Sequence, residues 1–264
     1  MTVSRSLPTW ALMHVPARTG AENMARDAGL MDRARETGEA LFSVYSWSRP
    51  TLSFGRNQAA AGRYDLARIA ENGIDVVRRP TGGRALLHWR EVTYSVTAPI
   101  SIAESLKDSY ERINRVLLDG LSRLGVHASE AGSDGGTPRP GELPCFAQPA
   151  RGELVVDGAK LVGSAQFREN GALLQHGSIL IADDQAMIAS LLLSKSRELE
   201  PPKAATLSSA LGREPSIEEV AGKIFEAVRE LEDRDAMALD ESSVSEYTAR
   251  YLDFYENELW TWRK

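Results

Sequence analysis

Apolar positions recur with a helical period in several separate parts of the chain. In Gly20–Thr37 the apolar residues fall on one side and the charged residues on the other, which predicts a helix. A capping box of Ser101 and Glu104 precedes a second predicted helix, whose apolar spacing continues to Leu124. The remaining predicted helices are Arg63–Asn72, Ala186–Leu193, Ser216–Leu231 and Ser243–Leu259, and the last two begin with serine capping boxes.

Between these helices the pattern is typical of extended chain and tight turns. Pro80–Gly83 reads as a turn, and Asp157-Gly158 as a two-residue hairpin turn. The predicted strands are Leu7–Ala17, Ala40–Phe54, Ile74–Arg79, Arg84–Thr97 (as one strand or two), Glu153–Val156, Lys160–Arg168 and Ala172–Ile181. Hairpins in the middle of the chain with helices before and after predict an α+β fold.

The length of 264 residues suits one large domain or two small ones. A hydrophobic content of 42% excludes a disordered or fibrous chain. Residues Gly132–Pro144 are rich in glycine and proline, and we interpret them as a surface loop of the kind that often carries function. We predict a single catalytic domain over residues 1–264, with 184–264 as a mainly helical C-terminal portion.

The charge pattern bears on possible partners. The chain has 31 basic and 37 acidic residues, a net charge of −6, and residues 183–264 hold 18 of the acidic and 10 of the basic ones. This distribution argues against nucleic-acid binding, which needs a strong positive field. The longest stretch without an acidic or basic residue, Asn170–Ala182, is too short to cross a membrane. A single cysteine cannot form an internal disulfide, which fits a reducing compartment, and we predict a cytoplasmic location.

Cys145 is a candidate nucleophile. It lies between the Gly/Pro-rich loop and a predicted hairpin, and Lys160 follows 15 residues later, just after the hairpin turn. An ammonium group beside the sulfur would stabilise a reactive thiolate. Two simpler interpretations stay open from the residues alone, namely a small buried cysteine and a solvated turn lysine.

The segment from Arg78 to Arg84 is a candidate anion-binding turn. The adjacent Gly82 and Gly83 allow the backbone to approach a ligand, and the flanking arginines suit a phosphate or a carboxylate. A plain hairpin with charged edges is the alternative. The four histidines and the cysteine have no metal-ligand spacing, so no metal site is predicted.

Three blocks together resemble the lipoate-ligase and octanoyltransferase superfamily, also called the biotin/lipoate A/B protein ligase family. They are Ser53–Gln58, Arg78–Ala85 continuing through His88 to Ser95, and Lys160–Gln166 continuing to Gln175–Ser178. The order and spacing of the blocks match over roughly residues 10–195. The segment around Cys145, followed by Glu153 and Lys160, is similar to the cysteine-dependent octanoyltransferase branch. The resemblance implies a biotin/lipoate ligase-like catalytic domain, with mixed or antiparallel central sheets flanked by helices.

The resemblance also implies an activity. Octanoyl-acyl carrier protein would be the donor, and Cys145 would form an acyl-enzyme thioester. A lysine of a lipoyl domain, such as glycine cleavage H protein or the E2 subunit of a 2-oxoacid dehydrogenase, would accept the octanoyl group. Lys160 would stabilise the thiolate or the oxyanion, and no cofactor or ATP is required. No nucleic-acid or membrane partner is implied.

The resemblance further assigns residues to substrate binding. Backbone N–H groups of the Gly82-Gly83 and Gly163-Ser164 pairs would complete an oxyanion site. The side chains of Arg78, Arg79 and Arg84 would steer acidic partner domains. The full predicted set is Arg78, Arg79, Gly82, Gly83, Arg84, His88, Gly163, Ser164, Gln166, His176 and Gly177.

Two positions depart from the ATP-using ligases of the family. Arg84 stands where those ligases usually have a third glycine. Trp89 stands where the ligases, and often the transferases of the family too, have an acidic residue after the histidine. The alternatives are an ATP-dependent lipoate ligase, an amidotransferase that moves octanoyl groups between lipoyl domains through the same cysteine, and an inactive paralogue that binds lipoyl domains.

Overall fold

The fold is built on one large sheet and one small sheet. The structure is a computed structural model that describes residues 8–100, 105–132, 146, 152–193 and 204–263. Its strands are β1 (Trp10–His14), β2 (Ala40–Tyr45), β3 (Thr51–Phe54), β4 (Asp75–Arg78), β5 (Leu86–His88), β6 (Glu91–Pro99), β7 (Ser129–Glu130), β8 (Leu154–Val156), β9 (Ala159–Glu169), β10 (Ala172–Leu180) and β11 (Met237–Ala238). The large sheet has the order β11-β1-β2-β6-β10-β9-β8-β7 and the small sheet the order β4-β3-β5.

Both sheets are mixed. β1 lies parallel to β2 and to β11, whereas the pairs from β2 through β6, β10, β9 and β8 to β7 are antiparallel. The predicted extended segment Ala40–Phe54 is two strands, because the chain leaves the large sheet after β2 and enters the small sheet at β3. Pro50, which has no N–H for a ladder hydrogen bond, lies at this crossing.

Helices cover both faces of the large sheet. They are α1 (Gly20–Thr37), α2 (Leu66–Glu71), α3 (Leu106–Leu124), α4 (Met187–Ser190), α5 (Leu207–Leu211), α6 (Ile217–Leu231), α7 (Ser245–Ala249), α8 (Leu252–Glu256) and α9 (Glu258–Thr261). Alternate residues of β2 face opposite cores. Phe42 packs in the cluster that includes α3 and α6, and Leu41 packs in the cluster that includes α1. None of the described helices is both long and apolar enough to span a membrane.

The predicted bounds of α1 are confirmed, and Thr19 caps it through a capping box with Glu22. The predicted Ser101–Glu104 box lies outside the described residues. α3 begins at Leu106 and is capped instead by Ser105, which forms a capping box with Asp108. Ser216 caps α6 as predicted by accepting from the Glu219 N–H.

The prediction of one helix over Ser243–Leu259 is wrong. This segment forms a 3₁₀-helix at Glu241–Val244 and three short helices, α7 to α9. The first turn is capped by Asp240 rather than by Ser243. The short helices bend around α1, and Val244 and Tyr255 are buried in its core cluster. A straight helix would not follow that surface.

Candidate active site

A cavity of about 520 Å³ is lined by residues of both sheets. Thr93, His176 and Ser178 of β6 and β10 contribute to its wall. All three are buried, although polar positions that alternate with apolar ones in a strand usually face water. The covered polar face of the large sheet therefore provides hydrogen-bonding groups inside the molecule.

Lys160 lies buried behind the described cavity wall, where it pairs with the lining residue Glu153. Only 2% of the residue is exposed, and its Nζ donates to Glu153 Oε1 at 2.6 Å. The β8–β9 hairpin produces this pairing, because Asp157 and Gly158 adopt positive φ at the predicted two-residue turn. Lys160 is thus not a solvated turn lysine.

The immediate surroundings of Lys160 lead toward the predicted nucleophile. The Nζ atom lies 4.7 Å from the ring centroid of Phe146, the residue that follows Cys145 in the chain. Cys145 itself lies outside the described residues. A Cβ atom at Gly163 would come within 3.2 Å of the Lys160 Nζ, so the missing side chain leaves room beside the ammonium group.

The buried side chain of Arg79 stabilises the glycine turn by hydrogen bonds to its backbone. Its guanidinium donates to the carbonyl oxygens of Gly82 at 3.1 Å and Arg84 at 3.0 Å, and it also bonds Ser53. Gly83 has a φ of 101°, which favours glycine. All four predicted residues Arg79, Gly82, Gly83 and Arg84 line the cavity.

Arg78 has a different position from its neighbour and is absent from the described cavity wall. It is completely buried, and its donors reach the carbonyl oxygens of Gly55, Arg56 and Gln58 and, on the other side, those of Trp260, Thr261 and Arg263. Burial is the main cause that lowers its pKa to about 10, and nearby arginines add to it. Arg78 therefore joins the 55–58 loop to the 260–263 segment, and a role in steering partners does not fit its burial.

His88 lies in a buried network on the cavity wall. Its Nε2 is 2.7 Å from Ser53 Oγ and its Nδ1 is 2.7 Å from Glu91 Oε1. The Glu91 carboxylate can only accept, so this contact assigns a proton to Nδ1, and in the neutral imidazole Nε2 is then an acceptor for the Ser53 hydroxyl. Burial lowers the pKa of His88 and favours this neutral form, against the opposing effect of Glu91.

His176 forms a second network of the same type. Its Nε2 lies 2.7 Å from Thr81 Oγ1, and its Nδ1 lies 2.8 Å from Asp27 Oδ2. Tyr45 donates to the same Asp27 oxygen at 2.9 Å. This chain of contacts connects α1 to the glycine turn through the cavity wall.

The remaining predicted residues divide into two groups. Gly163, Ser164 and Gly177 line the cavity, and Ser164 Oγ lies 2.6 Å from the Tyr94 hydroxyl. Gln166 lies outside the described cavity wall and donates to Gln175 Oε1 at 3.0 Å. Gln175 in turn donates to the Tyr94 hydroxyl at 3.1 Å, so Gln166 reaches the site only through other side chains.

Several residues of these networks escaped the sequence analysis. Asp27 lies three residues after Met24 and four before Met31, so its charge falls within the apolar stripe of α1. This charged residue within an apolar stripe was the sequence feature that could have identified Asp27 as a buried polar residue of the site. Glu91, the acidic partner of His88, lies two residues beyond Trp89. Trp89 itself is 40% exposed and does not belong to the described cavity wall.

Comparison with solved structures identifies the class of fold. A lipoate-protein ligase A bound with ATP superposes with a TM-score of 0.75 at 22% identity, covering 97% of this chain and 99% of that one. A bi-partite lipoate protein ligase from Thermoplasma acidophilum gives a TM-score of 0.74 at 21% identity, covering 97% and 96%. The predicted biotin/lipoate ligase-like fold is confirmed.

Sequence comparison identifies the family. Residues 19–229 match the lipoyl protein ligase A/B catalytic domain, and this chain belongs to that family. Octanoyltransferase LipM of Kyrpidia tusciae is 37% identical over 98% of this chain and 100% of its own length. The protein of the same name from Carboxydothermus hydrogenoformans is 39% identical over 73% of this chain and 72% of its own.

Proposed function

We propose that this chain is an octanoyltransferase of lipoate biosynthesis. It takes an octanoyl group from octanoyl-acyl carrier protein, holds it as a thioester on Cys145, and transfers it to a lysine of a lipoyl domain. Relatives named octanoyltransferase that match nearly the whole chain support this assignment. The observation that carries it is the buried Lys160–Glu153 pair beside Phe146, the neighbour of Cys145.

The proposed first step forms the acyl-enzyme. The Cys145 thiolate attacks the carbonyl carbon of the donor, a new carbon–sulfur bond forms, and the bond to the carrier sulfur breaks. The carrier leaves as a thiolate and takes up a proton. The Lys160 ammonium, held by Glu153, favours the attacking thiolate and the developing oxyanion because both are negatively charged.

The proposed second step releases the enzyme. The neutral amine of the acceptor lysine attacks the acyl-enzyme carbonyl and loses a proton, and Cys145 leaves as a thiolate. The product is an amide, which is more stable than the thioester, so the transfer needs no ATP. Gly82, Gly83, Gly163 and Ser164 line the cavity, and their backbone N–H groups are the proposed donors to the oxyanion.

The decisive experiment follows the intact mass of the protein. The enzyme is incubated with octanoyl-acyl carrier protein without ATP, alongside Cys145→Ser as the matched variant. We expect an octanoyl adduct on the wild type and none on Cys145→Ser. No adduct, together with ATP-dependent lipoylation of an acceptor domain, would instead establish the ligase alternative.

A second donor distinguishes the octanoyltransferase reaction from the amidotransferase reaction, both of which would use Cys145. An octanoylated lipoyl domain replaces the acyl carrier protein in the same assay. Faster acylation from the carrier supports the transferase, whereas faster acylation from the lipoyl domain would establish the amidotransferase.

We also propose that residues 1–264 act as one catalytic unit. Strand β11 of the helical C-terminal portion pairs with β1 in the large sheet. Arg78 connects the 260–263 segment to the loop at the cavity. These two connections support a C-terminal portion that is part of the catalytic domain rather than a separate module.

A further inference from the structure

The charge of the cavity is not explained by an octanoyl group. The charged side chains among the described lining residues are Arg63, Arg79, Arg84 and Glu153. Glu153 is paired with Lys160, so the remaining lining charge is positive, within a chain of net charge −6. An octanoyl chain and its thioester are uncharged. The cavity is therefore suited to an anion that accompanies the acyl group.

Arg84 is the strongest candidate for binding that anion. Its Nη1 is buried and has no hydrogen-bond partner among the residues that the structure describes. Arg84 as a whole is half-buried, but this nitrogen has lost its contact with water without gaining an acceptor, which is unfavourable. The donor is available for an acceptor that arrives with a ligand.

The turn keeps Arg84 in place. The carbonyl oxygen of Arg84 accepts from Arg79 Nη2 at 3.0 Å, which fixes the backbone of the residue. A Cβ atom at Gly55 would lie 2.1 Å from the Gly83 carbonyl oxygen, so the turn packs directly against the 55–58 loop. Arg63, an exposed side chain, adds a second guanidinium to the same cavity wall.

We propose that Arg84, assisted by Arg63, binds the phosphodiester of the phosphopantetheine arm that carries the octanoyl group. This inference rests on the proposed function, in which the donor is an acyl thioester of a carrier protein. The phosphodiester is the anionic group of that arm, and guanidinium groups bind phosphate oxygens through paired, charge-assisted hydrogen bonds. The acceptor lysine cannot supply the anion, because it is neutral or positively charged.

The test compares two small donors that differ only in this group. One is octanoyl-pantetheine, and the other is the methyl ester of octanoyl-4′-phosphopantetheine, which carries a phosphodiester. The rate of Cys145 acylation is measured by intact mass at several donor concentrations. We expect the wild type to use the phosphodiester donor about tenfold to a hundredfold more efficiently, in kcat/KM, than octanoyl-pantetheine.

Substitutions then assign the effect to the arginines. Arg84→Gln is expected to lose most of the preference, measured as the ratio of kcat/KM for the two donors within each variant, and Arg63→Gln to lose a smaller part. Arg63 is exposed, so its variant provides an independent test if Arg84→Gln fails to fold. Arg115→Gln, at an exposed arginine of α3 outside the described cavity wall, is the matched control and should keep the full preference.

The outcomes separate this inference from the proposed function. Equal use of both donors by the wild type would overturn the phosphate site while leaving the transferase intact. The phosphate site would also be overturned if Arg84→Gln and Arg63→Gln each kept the full preference for the phosphodiester donor. Absence of acylation from either donor and from octanoyl-acyl carrier protein would contradict the proposed function itself. Octanoyl-coenzyme A is used as a third donor. If the enzyme preferred it to the phosphodiester donor, the anion bound by Arg84 would not be the phosphodiester of the carrier protein's arm.

Discussion

At the scale of single residues, the site depends on polar groups buried in pairs. Lys160 with Glu153, and His88 with Glu91, each place a basic side chain within 2.7 Å of a carboxylate oxygen, and all four residues are buried. Removing one member of such a pair leaves the other buried without its partner. Substitutions at these residues therefore affect both chemistry and stability, and the two effects must be measured separately.

Lys160→Met should slow Cys145 acylation by about a hundredfold or more, because the ammonium that stabilises the thiolate and oxyanion is gone. The same change should destabilise the fold by about 3 kcal/mol, since the buried Glu153 carboxylate loses its ion pair with the Lys160 ammonium. Acylation is followed by intact mass and stability by urea unfolding. The double variant Lys160→Met with Glu153→Gln should recover stability but not activity. Recovery of activity in the double variant would contradict a chemical role for Lys160.

His88 should make folding stability depend on pH. Burial lowers its pKa in the folded protein, so the unfolded chain binds the proton more readily. The unfolding free energy contributed by this residue is therefore present above the ordinary histidine pKa of about 6.5 and is lost as pH falls. Urea unfolding at pH 7.5 and pH 5 should show a larger loss for the wild type than for His88→Gln. Identical losses would show that His88 does not titrate differently on folding.

At the scale of elements, the loops at the site are held by a distant part of the chain. The 55–58 loop, which lies against the glycine turn, is bonded through Arg78 to carbonyl oxygens of residues 260–263. Trp260 returns a hydrogen bond from its Nε1 to the Arg78 carbonyl oxygen at 3.1 Å. The short helices at the end of the chain thus contribute to the geometry of the cavity.

Arg78→Met should destabilise the protein by at least about 3 kcal/mol, because several buried carbonyl oxygens lose their donor. Arg78→Lys should recover only part of this, since an ammonium group cannot reproduce the planar fork that spans both segments. Thermal unfolding measures both variants, with Arg123→Met, at a largely exposed arginine of α3, as control. A wild-type melting temperature for Arg78→Met would refute the role assigned to this residue.

At the scale of the whole molecule, the sheet and the C-terminal helices form one packed structure. Val220, Ile224 and Val228 of α6 are buried in the cluster that includes Phe42 and Leu117. Burial of three such side chains is worth about 6 kcal/mol, which is comparable to the total stability of about 5–15 kcal/mol of many domains. The apolar face that α6 covers would otherwise be exposed to water.

A chain ending at residue 215 should therefore fail to fold as a cooperative unit. Loss of α6 exposes its core cluster, and loss of β11 removes the parallel partner of β1. Circular dichroism and limited proteolysis compare this fragment with the full chain. A protease-resistant fragment with a sharp thermal transition would show that the C-terminal portion is independent of the catalytic fold.

Local patterns in the sequence were sufficient to predict many of the helices, strands and turns. The bounds of α1, the Asp157-Gly158 turn and the Ser216 cap follow from interactions within a few residues, so they could be predicted without the fold. The three sequence blocks also identified the family. Cys145 remains a prediction from the sequence, because it lies outside the described residues.

The partners of the buried groups were decided by the tertiary structure alone. Arg78 and Arg79 are adjacent in the chain, yet one bonds the 260–263 segment and the other supports the cavity turn. His176 meets Asp27 across 149 residues of sequence. Residues that are distant in the chain meet only when the sheet and helices pack, and a local pattern contains no record of such contacts. For that reason the sequence could determine the chemical groups and the family, whereas their pairing, burial and protonation required the folded molecule.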